Sequence, residues 1–292
     1  MLINNKKFYA LSLSVYFSCS ALAHAAGTMN ARDFIPAPPG TSLAVLYYEN
    51  ESSNEFSGVP ASANENLDVN ALLYRQLWFT DICGTLCTPQ FILPYADVDL
   101  RMPFSPKSSS SSGFGDPSFG GAIYISNNPQ QKYYSAFLTL VSLPVGEYDS
   151  LNPDSSPGSN RWEALLTYNN TIGVGEKWVF EANLEAELYG NNDDYLGSKL
   201  EQSPLLSAQL IASYDISSSV YGAASVIHSD GGEMKLDGYT IPDTTSRETR
   251  LGAEFGYSLS RRNTIMASYS KTISSTNAFE SDKVLLRFTH VW

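Results

Sequence analysis

Ser281-Asp-Lys-Val-Leu-Leu-Arg-Phe-Thr-His-Val-Trp292 is the stretch whose pattern decides the fold. Taken in twos, one face carries Val284, Leu286, Phe288, His290 and Trp292. The other carries Lys283, Leu285, Arg287, Thr289 and Val291. A period of two is a strand, with one apolar and one partly charged face. A strand that ends a chain on an aromatic suits a closed barrel, in which the last strand pairs with the first and leaves no open edge. Phe288 and Trp292 are then the expected signal for the barrel-assembly machinery. His290 departs from the usual aromatic or apolar residue at its position.

The other end agrees. Lys6 and Lys7 precede the mostly apolar stretch 8–22, and Ala23-His24-Ala25 has the small-x-small form of a cleavage site, so 1–25 reads as a secretory signal peptide. Beyond it no apolar run approaches the ~20 residues of a spanning helix. Loss of Lys6 and Lys7 takes the formal charge from −12 to −14, a surface that repels nucleic acid. The 18 Tyr and 4 Trp residues suit the aromatic girdles of a membrane barrel.

Twelve segments read as strands: 40–49, 66–79, 89–100, 115–126, 133–147, 160–172, 177–190, 202–214, 218–229, 247–259, 263–273 and 282–292. Each is near the ~9–11 residues that a tilted spanning strand needs. The clearest is Trp178-Val-Phe-Glu-Ala-Asn-Leu-Glu-Ala-Glu-Leu-Tyr189, with Trp178, Phe180, Ala182, Leu184, Ala186 and Leu188 on one face. The connections alternate in length. Those at 81–88, 127–132, 173–176, 215–217 and 260–262 are short. Those at 50–65, 101–114, 149–159, 191–201, 230–246 and 274–281 are mostly longer. Short turns on one rim and long loops on the other characterise an outer-membrane barrel with both termini in the periplasm. The expected fold is all-β: a transmembrane antiparallel up-and-down barrel of about twelve strands. It comprises a signal peptide (1–25), an N-terminal periplasmic segment (26–39) and the barrel (40–292), placed in the outer membrane with its lipid as partner.

Cys83 and Cys87 flank Gly84-Thr85-Leu86 in a short, hence periplasmic, turn. An oxidising compartment predicts a disulfide between them. No His or further Cys completes a tetrahedral set, so neither a metal nor any other cofactor is expected.

Enzyme activity is not expected. Only His228 and His290 survive processing, and His228-Ser229-Asp230 reads as a polar cluster at the strand's end rather than a catalytic set. If the apolar faces meet lipid, the lumen receives Tyr95, Asp97 and Asp99, the acidic Glu181, Glu185, Glu187 and Glu254, and the basic Arg161, Arg250, Lys283 and Arg287. Charges of both signs fit a passage for small polar solutes. They fit equally a lumen packed shut by ion pairs.

Five segments carry a family resemblance: Asp33-Phe-Ile-Pro-Ala-Pro-Pro-Gly40, Gly113-Phe-Gly-Asp-Pro-Ser-Phe-Gly120, Leu143-Pro-Val-Gly-Glu-Tyr148, Gly158-Ser-Asn-Arg-Trp162 and Asn191-Asn-Asp-Asp-Tyr195. In order and spacing they resemble the meta-pathway phenol-degradation family of outer-membrane proteins. The resemblance implies a barrel that takes up aromatic or other hydrophobic small molecules, and carries over no catalytic residue. Gly115-Asp116 and Pro144-Val-Gly146 also suit strand-entry and bend positions. Two functions follow: a channel or transporter for small solutes, with aromatic ones implied by the resemblance, or a non-conducting barrel whose outer loops bind a partner or surface.

Overall fold

A computed structural model describes residues 29–292 except 59–63, 104 and 106. The signal-peptide reading of 1–25 lies outside these residues. In chain order the strands are β1 (Ser42–Ser53), β2 (Asn66–Trp78), β3 (Thr80–Ile82), β4 (Thr85–Arg101), β5 (Ser109–Phe114) and β6 (Ser118–Asn128). Then come β7 (Tyr133–Ser142), β8 (Glu163–Val174), β9 (Trp178–Tyr189), β10 (Asn192–Tyr195), β11 (Ser198–Gln202) and β12 (Leu205–Ser217). The last six are β13 (Val220–Gly231), β14 (Met234–Leu236), β15 (Tyr239–Thr240), β16 (Ser246–Ser258), β17 (Asn263–Thr276) and β18 (Asp282–Val291).

Twelve of these form one closed antiparallel wall, in the order β1-β2-β4-β6-β7-β8-β9-β12-β13-β16-β17-β18 and back to β1. Each overlaps one of the twelve segments that alternation predicts. Closure is in register from Leu43↔Val291 to Ser52↔Asp282. Ser42 and Trp292 exchange both backbone hydrogen bonds, at 3.0 and 3.1 Å. The outward face exposes Leu46, Leu72, Phe137, Leu184, Leu210, Phe255 and Leu286. Hydrocarbon accepts such a surface, and the β1–β18 pairing leaves the ring no free first or last edge.

The differences from the sequence reading are local. The first strand runs on to Ser53 and brings Glu51 into the wall. The expected 115–126 strand starts at Ser118, because β5 turns back to pair with the distal half of β4, from Tyr95↔Phe114 to Leu100↔Ser109. Two long connections are not open loops. β10, β11, β14 and β15 form a four-stranded sheet over the long-loop rim, closed by the burial of Tyr195, Leu200, Met234 and Ile241. The disulfide is not formed: both thiols are free. Cys87 lies opposite Thr80, whereas Cys83 sits in the turn beyond the Ile82↔Thr85 pair. That is about three residues of strand rise, roughly 10 Å, too far for a bridge.

One buried acid helps pin the cap to the neighbouring loop. Asp154, in a 3-10 turn at Pro153–Ser155, accepts a hydrogen bond from the Tyr195 hydroxyl at 2.6 Å. Burial pushes its carboxyl up from 3.8 to about 7, against the lowering effect of the Tyr195 bond. Between about pH 4 and pH 7 the closed loop therefore holds a proton that the opened loop gives up. Closure is strongest below pH 4 and weakens as pH rises to 7. Amide exchange over 149–158 should be several-fold slower at pH 5 than at pH 8, after correction for intrinsic rates. Asp154→Asn should abolish the difference; equal protection of the unaltered loop at both pH values would refute the assignment.

Candidate functional site: a two-sided lumen with a plug and an outer cavity

The inward face of the wall divides into two chemically distinct halves. On β2, β4, β6 and β7 most buried residues are apolar, Leu67, Val69, Leu73, Ile92, Ala96, Val98, Leu100, Ala122, Leu138 and Leu140 among them, with Gln76, Thr88, Gln90, Ser118 and Ser135 interspersed. On the wall strands from β8 to β18 most are polar, including Thr167, Asn169, Thr171, Glu181, Asn183, Glu187, Gln209 and Lys283, beside the apolar Leu165, Leu205, Ile211, Met266 and Leu285. An amide relay ties this second half together. Asn169 Nδ2 donates to Asn183 Oδ1 at 2.7 Å, and Asn183 Nδ2 to Gln209 Oε1 at 3.0 Å. Buried polar groups persist because they are bonded to one another.

The two halves place the expected lumen residues differently. Glu181, Glu185, Glu187, Arg250, Glu254, Lys283 and Arg287 lie on the inward face of their strands. Arg161 lies just before β8 and is buried against Glu163. Tyr95, Asp97 and Asp99 correct the expectation. They point outward, while Ala96, Val98 and Leu100 between them are buried within. The rule that apolar faces meet lipid fails here because this sector of the lumen is itself apolar. Near the long-loop rim the outward face is polar instead, with Asp68 opposite Asp99 and Asn70 opposite Asp97.

Several inward residues escaped the sequence reading. Glu49 and Glu51 accept from Lys283 Nζ at 2.8 and 3.1 Å. Arg250 Nη2 bridges Glu51 at 2.8 Å and Glu248 at 2.9 Å, and Ser281 Oγ bonds Glu51 as well. Stopping the first strand at residue 49 hid Glu51; the continued alternation Val45-Tyr47-Glu49-Glu51 was the signal available.

The chain before β1 fills the lumen from the short-turn rim inward. This part of the N-terminal segment has both chemistries of the wall that receives it. Met29 and Phe34 are buried in the apolar cluster. Arg32 turns the other way at φ +71°. Its Nη1 meets Asp215 at 2.7 Å, its Nε donates to Ser213 Oγ at 3.1 Å, and its guanidinium lies 4.4 Å from the Tyr221 ring centre. Asp33 pairs with Arg287 at 2.6 Å. The backbone N–H groups of Ala31 and Arg32 donate to Glu254 at 3.2 Å and Glu181 at 2.8 Å. Gln209 Nε2 donates to the Met29 carbonyl at 2.9 Å. Glu181 and Glu254 thus hold the N-terminal segment in place.

Two cavities flank the plug along the apolar half. The inner lies between Phe34 and a wall that includes Val45, Leu77, Ala122, Tyr124 and Leu138, with Arg32, Arg75, Gln90 and Arg287 also lining it. The outer, partly open, lies under the long loops. It has Leu73, Ile92, Val98, Leu140 and Leu165 on one side and Arg161, Glu163, Glu187, Tyr189 and Asn192 on the other.

The outer cavity is closed by four of the five segments that carry the family resemblance, all but Asp33–Gly40. β6 pairs with β4 only from Cys87↔Ile123 to Ile92↔Ser118, so above Ser118 the loop before β8 takes the place of a ladder. Asp116 clasps it: Oδ1 accepts from Gly146 N at 2.8 Å, and Oδ2 from Ser159 N and Oγ at 2.7 Å each. Gly146 and Gly158 are required by contact. A Cβ on Gly158 would lie 2.8 Å from the Gly146 carbonyl carbon, and one on Gly146 2.6 Å from that of Gly115. Asn192 Nδ2 donates to Tyr148 Oη at 2.8 Å and to the Ser159 carbonyl at 3.0 Å. Segments spread over about eighty residues of sequence thus meet in one knot around Arg161.

The geometry has counterparts. The crystal structure of the COG4313 outer membrane channel from Pseudomonas putida F1 superposes with a TM-score of 0.84 at 22% identity, covering 91% of this chain and 100% of that one. The transport unit of the autotransporter AIDA-I from Escherichia coli gives 0.58 at 9% identity, over 92% and 95%. The translocator domain of the autotransporter NalP from Neisseria meningitidis gives 0.56 at 9%, over 94% and 98%. No curated sequence matches the chain. A family model described as "Putative MetA-pathway of phenol degradation" matches residues 51–288, and the chain belongs to that family.

Proposed function

We propose that this protein is an outer-membrane channel for small, largely apolar solutes, aromatic compounds among them. The observation that carries the reading is the two-sided lumen, whose apolar half runs from the outer cavity through Leu140 and Leu138 to the inner one. An apolar solute on that path exchanges water for Leu, Ile and Val side chains, at about 25 cal/mol per Å² of apolar surface covered. A passage meant for ions would have no use for such a wall. The description of the family and the similarity to a Pseudomonas putida outer membrane channel support the same reading. In this reading the signal peptide and the terminal Phe288 and Trp292 deliver and insert the barrel. The short turns and both termini face the periplasm and the long loops face outside.

The protein is read as a non-enzyme. Its two described histidines lie on the outward faces of their strands, His228 bonded to Thr249 and His290 to Asn263. Neither lines a cavity.

The plug favours a barrel nearly shut to ions at rest, since it is tied across the polar half by two ion pairs and the Glu181, Glu254 and Gln209 bonds. Solute is expected to pass on the apolar side, by Phe34.

Two measurements check this. Cells carrying the barrel should take up micromolar radiolabelled toluene several-fold faster than cells lacking it, with no gain for arabinose. Uptake of arabinose alone would overturn the solute class. In planar bilayers the unaltered barrel should show small conductance. The double substitution Arg32→Ala with Asp33→Ala, which removes both ion pairs of the plug, should raise it several-fold. Unchanged conductance with the barrel correctly inserted would show that 29–34 does not seal the ion path.

A further inference from the structure

The outer cavity contains one buried cation with an unfilled donor. Arg161 precedes β8, and its side chain is 2% exposed. Its Nε donates to Glu163 Oε1 at 2.9 Å. The flat face of its guanidinium lies 4.5 Å from the Tyr189 ring centre. Its Nη1 is buried and has no hydrogen-bond partner. A buried donor left unsatisfied costs stability, about 1–3 kcal/mol for a neutral group and more for a charged one. The fold maintains this one with a dedicated knot: Asp116, Ser159 and Asn192 fix the loop, and Asn160 takes a left-handed backbone, φ +54°, just before it. Arg32 and Arg287 also keep one unpartnered donor each, but both are engaged in the ion pairs that seat residues 29–34. Arg161 borders a cavity whose opposite side is apolar.

We propose that Arg161 with Glu163 and Glu187 is the head-group site of this cavity, and that its ligand is an uncharged amphiphile bearing a hydroxyl, an alcohol or a phenol. The inference rests on reading the cavity as the solute's. Charge decides between head groups. Arg161 is already neutralised by Glu163. Glu187 borders the same cavity and accepts from Tyr189 Oη at 2.7 Å, and the Asp116 clasp lies beside them. A carboxylate or phosphate ligand would add negative charge to a site with more acids than bases, in a region that screens poorly. A hydroxyl meets both partners: its oxygen accepts from Arg161 Nη1, and its proton is donated to a carboxylate of Glu163 or Glu187. The apolar body then lies on Leu73, Ile92, Leu140 and Leu165.

Three probes share one body and differ only in the head: benzyl alcohol, benzoate and toluene. Equilibrium dialysis against the barrel in nanodiscs, with empty nanodiscs subtracted, gives their retention without requiring any variant to fold. The alcohol should be retained at least about tenfold more tightly than toluene, the effect of one hydrogen bond to a charged donor, and more tightly than benzoate. Benzoate binding tightest would overturn the charge argument, and equal retention of alcohol and toluene would overturn the head-group site. Arg161→Met combined with Glu163→Gln removes the donor without leaving an orphan charge. It should erase the preference for alcohol and leave toluene retention unchanged. Retention in the expected order without cellular uptake would refute the channel and leave the site standing, whereas uptake without that order would do the reverse.

Discussion

Backbone closure between the first strand and the last is the constraint on which the rest of this structure depends. A wall of twelve strands has no free edge only if β1 meets β18, and in hydrocarbon an unpaired edge is costly at every residue. The register of that seam is set twice. At the short-turn rim it is set by the reciprocal Ser42–Trp292 bonds. Inside the lumen it is set by Lys283 on Glu49 and Glu51, with Arg250 reaching Glu51 from two strands further round. A slip of one residue would turn Lys283 into lipid and Leu286 into the lumen. Those buried charges would then lose their partners, which is why such pairs specify a register better than they stabilise it.

Closure also creates the interior that the protein uses. A fully apolar lumen would collapse onto itself as a core, and a fully polar one would fill with water. The wall divides these roles between sectors. The amide relay of Asn169, Asn183 and Gln209 and the ion pairs of β1, β16 and β18 hold the polar half rigid. The apolar half carries fewer such bonds, Arg75 to Gln90 and Ala122 N to Thr88 among them, and borders the two cavities. The segment 29–34 matches the division, with Met29 and Phe34 on one side and Arg32 and Asp33 on the other. Its seat is specific because each half of the wall would reject the other pair of side chains.

At the long-loop end, the wall is interrupted where β5 leaves β6, and hydrogen bonds from Asp116 replace a strand ladder. That exchange gives a rim made of side-chain and glycine contacts, with Arg161 inside it.

Much of the fold was legible in the residues alone. Period-two alternation located all twelve wall strands, because each must show one face to lipid and one to the lumen. The parity of connection lengths separated the two rims, because only one rim carries the cap. Four of the five segments with a family resemblance turned out to meet around Arg161, which their sequence did not show. What alternation could not say is which face points inward where both are mixed: Tyr95, Asp97 and Asp99 alternate as cleanly as Glu181 and Glu185, yet lie on the opposite surface. The seat of residues 29–34, the separation of Cys83 from Cys87, and the orphan donor of Arg161 were likewise decided only in three dimensions. Strand character is a property of near neighbours in sequence and can be read from them. The chemistry of the lumen is the sum of twelve inward faces, contributed by residues up to about 250 positions apart, and exists only once the ring has closed.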